Sequence, residues 1–290
     1  MRRCYLITTE HLEDGLWFRD ESDFKVGMNY MAIEACRHFD VIVLAFILMS
    51  NHVHLVLGGE KGEVELFAID FKRRYSLYLR KKYSVEGFLK RNQLDLREIP
   101  AEDEALERAI AYVQMNPVAA NICSHPTQYL WGTGNVFFNP DKQSCIKVGQ
   151  ISRRALSRLT HSEFSSFPDD WQMSHNGYIM PQEYVRVETV EKIFRSPGRM
   201  NYFLNRSSKA RRRIEMAEDN LPAFRDQVIL GALPDLCRSL FRKGSFLELS
   251  QDEQVEFIRQ VRFRFSADIN QVARVCGLTY AEVARKIDGV

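Results

Sequence analysis

No run of about 18 apolar residues occurs anywhere in this chain, so a membrane-spanning helix is not predicted. The opening residues Met1-Arg2-Arg3-Cys4-Tyr5-Leu6-Ile7-Thr8-Thr9 have too short an apolar stretch for an export signal, and a soluble cytoplasmic protein is the expectation. The six cysteines, at 4, 36, 123, 145, 237 and 276, form no Cys-x-x-Cys pair, which argues against structural zinc and predicts reduced thiols. Neither a P-loop nor a Ser-His-Asp arrangement is present, so ATP-driven and acyl-transfer chemistry are poor readings. There is little charge of either sign to spare: 40 basic against 38 acidic residues leave +2, and affinity for a polyanion has to come from local patches. No internal repeat or low-complexity segment is visible. What remains is a globular chain of 290 residues, 45% hydrophobic, long enough for two or three domains.

The most informative residues are His52 and His54, in Leu48-Met49-Ser50-Asn51-His52-Val53-His54-Leu55-Val56-Leu57. The flanking apolar residues predict a strand, and on a strand positions i and i+2 point the same way, so two imidazoles stand side by side as half of a metal site. The segment from Pro100 to Pro117 predicts a helix: proline at its start, acids in its first turn, and Leu106, Ile110 and Val113 as an apolar stripe, with Pro117 ending it. Tyr112 and Asn116 are four apart and share one helix face. An amide oxygen can complete a His-His site, and a tyrosine one turn away can present its hydroxyl beside the metal. The metal set is therefore His52, His54 and Asn116, with Gln114 as a substitute ligand, and mixed nitrogen and oxygen ligation suits Mg²⁺ or Mn²⁺. Tyr112 is the candidate nucleophile; Tyr75, Tyr78, Tyr83 and Tyr129 compete, but none has such an amide one turn on.

At these residues the chain resembles a known family. Ser50-Asn51-His52-Val53-His54-Leu55 is similar to the His-hydrophobic-His motif of the HUH single-strand DNA endonucleases, and Tyr112-Val113-Gln114-Met115-Asn116-Pro117-Val118 to the tyrosine helix of their REP-associated tyrosine transposases. The resemblance runs over residues 5 to 135 and takes in Tyr129-Leu130-Trp131-Gly132-Thr133-Gly134, where relatives often carry Tyr-x-Trp-Ser-Ser; Gly132 and Thr133 depart from that, and Ser50 stands where many relatives have proline. It implies cleavage and rejoining of DNA through a 5′-phosphotyrosine, with a 3′-hydroxyl released, on single-stranded or hairpin DNA from palindromic repeats. It also implies a ferredoxin-like or RRM-like fold.

That fold agrees with the order of predicted elements: strand 5–11, helix 21–38 capped by Asp20, strands 41–49 and 52–57 joined at Ser50-Asn51, helix 63–83, one strand or an irregular pair within 88–99, then the tyrosine helix. The expectation is an α+β class, an antiparallel sheet with helices on one face, His52 and His54 on the other, and a mostly helical C-terminal region. Domains are expected at 1–135 (catalytic), 136–215 (accessory, with short helices, a hairpin turning at Asn176-Gly177 and a basic segment) and 216–290 (helical). Candidate phosphate contacts are Lys72, Arg73, Lys90, Arg91, Lys209, Arg211, Arg212 and Arg213, with Tyr75, Tyr78 and Tyr83 available to stack on bases; a solvated helix face has the same composition. Residues 269–287 have helix-turn-helix spacing, with Gly277 at the turn, Thr279 as a cap, and Tyr280, Glu282 and Arg285 nearest a duplex. Two other readings stay open, a non-cleaving DNA-binding protein and an RRM-like RNA-binding module, and the chain is expected as a monomer or homodimer.

Overall fold

The computed structural model describes residues 3–9, 16–84, 94–120, 122–140, 145–207, 224–265 and 267–288. The fold is α+β. Strands β1 (Cys4–Thr9), β2 (Ile42–Met49), β3 (His52–Gly58) and β4 (Leu94–Glu98) form one antiparallel sheet in the order β2-β3-β1-β4. Helices α1 (Glu21–Arg37) and α2 (Lys61–Tyr83) make the two crossovers, which completes the ferredoxin-like βαββαβ arrangement. A two-residue turn at Ser50-Asn51 joins β2 to β3 and sets Met49 opposite His52 and Ile47 opposite His54. The turn is held because Ser50 O accepts the backbone N–H groups of Trp17 (2.8 Å) and Phe18 (3.0 Å). Asp20 caps α1 in a reciprocal capping box with Asp23.

Helices α1 and α2 lie together on one face of the sheet. A Cβ added at Gly27 of α1 would come within 2.8 Å of Leu48, which pairs with Val53, so the α1 side takes Leu48 and Val53 while Ile47, Met49, His52 and His54 point the other way. Between the helices and the loop before α1 sits an aromatic cluster of Trp17, Phe18, Tyr30, Tyr75 and Tyr78. This corrects the stacking role expected of two tyrosines: Tyr75 is fully buried and donates to Trp17 O at 2.7 Å, and Tyr78 is buried and donates to Asp23 Oδ1 at 2.8 Å. The sequence predicts the helix over 63–83; it does not say that its tyrosines belong to the apolar side.

The opposite face is covered by α3 (Ala105–Gln114), the tyrosine helix, followed by the single turn α4 (Asn116–Ala119). Both prolines act differently from expectation. Pro100 lies five residues before the helix, whose N-cap Glu104 takes a left-handed φ of 66°. Pro117 does not end the helical path but sits in the first turn of α4, where a missing N–H costs nothing. Beyond α4 the chain returns to the β2 edge: Leu48 N donates to Trp131 O at 2.8 Å, Thr133 N to Phe46 O at 3.0 Å, and Ile47 bridges Gly132. The departure at Gly132 has a steric reason, since a Cβ there would lie 2.7 Å from Phe46 O.

Residues beyond 135 continue the same core. Val136, Val148, Leu156, Met173, Ile179, Val190, Phe194 and Leu204 are buried in one cluster with the sheet, contributed in part by α5 (Arg153–Thr160), β6 (Gln172–Ser174), α6 (Val187–Phe194) and α7 (Pro197–Arg206), while Cys145 of β5 (Cys145–Lys147) packs against it. The hairpin turn at Asn176-Gly177 is present, with Gly177 at φ 88°, and Asn29 of α1 binds it by donating to Gly177 O at 3.0 Å. Helices α8 (Asp226–Phe241), α9 (Gln251–Phe265), α10 (Ile269–Cys276) and α11 (Tyr280–Asp288) bury a second cluster around Ile229, Phe257, Val272 and Val283. All six cysteines are free thiols, and no helix among the described residues is long and apolar enough to cross a membrane.

Candidate active site

His52 and His54 stand side by side on β3 with ring centroids 4.7 Å apart, and both are buried. Helix α3 covers this face of the sheet, packing on β2 and β3. Each imidazole is oriented through Nδ1: His52 Nδ1 is 2.7 Å from Asn51 Oδ1, and His54 Nδ1 is 2.8 Å from Thr8 Oγ1, on the strand residue paired with it. With Nδ1 so engaged, Nε2 is the nitrogen of each ring that could take a cation, the arrangement by which neighbouring groups orient metal-binding imidazoles. The pair thus fits a divalent cation. Tyr112 reaches it from α3: its ring meets that of His54 edge to face, centroids 5.5 Å apart.

Asn116 is buried on the turn after α3, and its Nδ2 donates to Tyr112 O (2.9 Å) and Val113 O (3.1 Å). The amide nitrogen is thereby committed to the helix, and Oδ1 is the atom a cation would take. Gln114 does not suit the substitute role. It is buried, and its Nε2 points to Thr133 O at 3.5 Å, on the segment paired outside β2 and therefore two strands, about 10 Å, from β3.

The rival tyrosines have other employment. Burial is the first cause that pushes up the phenols of Tyr75, Tyr83 and Tyr129, and that of Tyr78 to about 12. Tyr83 donates to Asp23 Oδ2 at 2.8 Å and Tyr129 to Leu48 O at 2.7 Å. Among these candidates only Tyr112 touches the histidine pair.

Sequence reasoning missed Arg97. On β4 it pairs with Leu6, two residues from the Thr8–Asp95 pair, so Arg97 and Asp95 share the face of His54 and Tyr112. Asp95 holds the guanidinium by a hydrogen bond and by charge, Nη2 to Oδ2 at 2.7 Å, and a smaller contribution from Tyr112 also favours the cation. A strand arginine in a charged, exposed stretch leaves no distinctive pattern, and only the register brings it to the site.

The other predicted contacts are scattered. Arg73 is exposed on α2, whereas Lys72 is buried and so corrected as a surface phosphate ligand. Lys90, Arg91, Lys209, Arg211, Arg212 and Arg213 lie outside the described residues. In the C-terminal pair, Thr279 caps α11 and Glu282 completes the box by accepting Thr279 N at 2.6 Å; Glu282 also faces Arg19 at 4.0 Å, while Tyr280 and Arg285 are exposed.

Two further features have ligand-like form. A cavity of about 880 Å³ lies between the end of α1 and residues 171–191, and none of the candidate residues lines it. Glu34, His38 and Asp70 converge on the α1–α2 side with donor atoms within 4.8 Å of one another. There Arg74 binds Glu34 at 2.6 Å and Arg37 faces both carboxylates, so two guanidinium charges already balance two carboxylates and a dication would have to displace them.

No family model matches the chain, and no curated protein matches it. Among solved structures it is similar to that of a REP-associated tyrosine transposase bound to a REP hairpin, at 11% identity and a TM-score of 0.38, over 47% of this chain and 79% of that one.

Proposed function

We propose that this chain is a metal-dependent single-strand DNA endonuclease that cleaves and rejoins DNA through a tyrosine ester, acting on hairpin-forming sequence. The observation that carries the reading is the contact of the Tyr112 ring with His54, itself beside His52: a buried strand pair and a half-buried helix tyrosine, separate in sequence, meet at one place. When bound by His52, His54 and Asn116, Mg²⁺ or Mn²⁺ supplies Lewis-acid polarisation of a phosphate oxygen. Tyr112 Oη loses its proton and attacks phosphorus, the P–O3′ bond breaks with its electron pair going to O3′, which takes up one proton in exchange for the one the phenol gave up, and a 5′-phosphotyrosine remains. The phosphodiester's energy is kept in that ester, so attack by O3′ reverses the step without ATP. Arg97 opposes the negative charge of the phenolate and of the phosphate from the same sheet face. An RRM-like RNA-binding role fits less well, because that module works through an open sheet and every residue of β3 is buried.

The test is incubation with single-stranded hairpin DNA and Mg²⁺ followed by a denaturing gel. DNA labelled at its 3′ end should run covalently attached to the protein, while 5′-labelled DNA should give a shortened free fragment. Cleavage without any attached 3′-labelled strand would mean that water, and not Tyr112, is the attacking group.

A further inference from the structure

Tyr112 borders a cavity of about 410 Å³ that the histidines do not reach. One wall is α3, with Glu104, Arg108 and Tyr112; the other is α7, with Tyr202, Phe203 and Arg206. Helix α7 is fastened here by Arg199, whose Nη2 lies 3.3 Å from Glu104 Oε1 and 3.2 Å from Glu107 Oε1, with its guanidinium over the Phe203 ring. Arg206 and Tyr202 are one helical turn apart and preorganise each other: Arg206 Nη1 is 2.8 Å from Tyr202 Oη and its guanidinium lies over that ring, 5.1 Å from the centroid. Tyr202 is nevertheless 48% exposed. Arg108 Nη1 is 3.7 Å from Glu104 Oε2, so Glu104 is shared between Arg108 and Arg199. Three guanidinium groups face two carboxylates, which leaves an excess of one positive charge beside an aromatic ring.

An amphipathic cavity of this size, with an exposed ring and a cation held against it, suits a base together with its phosphate. We propose that this cavity seats the nucleotide next to the scissile phosphate of a single DNA strand, with Tyr202 stacking on the base and Arg206 and Arg108 taking the adjoining phosphate. This rests on the reading of Tyr112 as the nucleophile. It also gives α7, which follows the ferredoxin-like sheet by some hundred residues, a direct part in holding substrate.

The experiment measures binding of a fluorescein-labelled single-stranded oligonucleotide at several salt concentrations, with Tyr112→Phe as the parent so that cleavage does not intervene. Tyr202→Ala should weaken binding about fivefold or more, and Tyr202→Phe, which keeps the ring, should restore it. Arg206→Ala should weaken binding and flatten the salt dependence by about 0.7 in the log–log slope, the value of one lost phosphate contact on a single strand. Arg153→Ala, at an exposed position of α5, is the control and should change neither. Affinities within twofold of the parent for Tyr202→Ala and Arg206→Ala, with melting temperature unchanged, would overturn the proposal; so would an equal loss in the Arg153 control. Adduct formation is scored separately with Tyr112 intact. Its absence counts against the nucleophile, whereas normal adduct with unaltered binding in the α7 variants counts against the cavity alone.

Discussion

Tyr112 and the two histidines differ in what their removal would reveal. Tyr112→Phe deletes one oxygen from a half-buried ring and should lower strand cleavage and adduct formation by about 10³-fold or more, with melting temperature and DNA affinity retained. His54→Ala removes a ring that is 1% exposed and bonded to Thr8, so about 1–3 kcal/mol of stability should be lost with the activity, as urea unfolding would measure. The nucleophile, not the ligands, is therefore the clean probe. Asp20 provides a pH test. Burial alone would raise its carboxyl, but Lys82 and Ser22, with the Asp23 N–H, outweigh this and hold it below 3.8. A depressed carboxyl contributes stability above its unfolded value that is lost as pH falls through the folded one. Thermal melts at pH 7, 5 and 3 should therefore show Asp20→Asn less stable at pH 7 but with a shallower acid decline than the wild type.

At the scale of elements, the decisive arrangement is the covering of both sheet faces. Helices α1 and α2 take one face with their aromatic cluster, and α3 takes the other, pressing Tyr112 onto His54. The position of α3 depends on the chain after it, because Trp131 to Thr133 pair with β2 and Gln114 reaches Thr133 O. Gly132→Ala puts a methyl group 2.7 Å from Phe46 O, where only backbone can give way. The expected cost is about 1–3 kcal/mol, seen as a lower urea midpoint, with a matching loss of adduct as α3 loses its anchor. A midpoint unchanged by this substitution would mean that the segment pairs loosely with β2.

For the whole molecule, the chain has two hydrophobic clusters of different standing. The first runs from Tyr5 to Leu204, and Tyr112 packs against it; the second, from Ile229 to Val283, belongs to α8–α11. The two meet through polar contacts: Arg274 Nη2 to Ala120 O at 3.4 Å, Gln227 Nε2 to Gln128 O at 3.2 Å, and Gly277, at φ 67°, against Arg19 O. A chain ending at Ser207 should accordingly keep a cooperative melt and adduct formation while binding hairpin DNA more weakly. Loss of the melt itself would show that the C-terminal helices are needed to hold the first core.

What the sequence determined by itself was local and periodic. The Ser50-Asn51 turn between two apolar runs, the Asp20 cap and the i, i+2 spacing of His52 and His54 are each set by neighbours in the chain, and the structure holds these; Tyr112 lies on α3, while Asn116 falls on the turn after it. The order of these elements was enough for the α+β class. Tertiary structure alone decided what depends on distant partners. It buried Tyr75, Tyr78 and Lys72, which read as surface residues because alternation with charge looks the same whether a tyrosine faces solvent or a neighbouring helix. It brought Arg97 to the face of Tyr112 through strand register, and Tyr202 and Arg206 to its cavity through the Arg199 ties. Pro100 and Pro117 show the same division: proline restricts the backbone beside it, but whether a helix begins or ends there depends on what the chain packs against next.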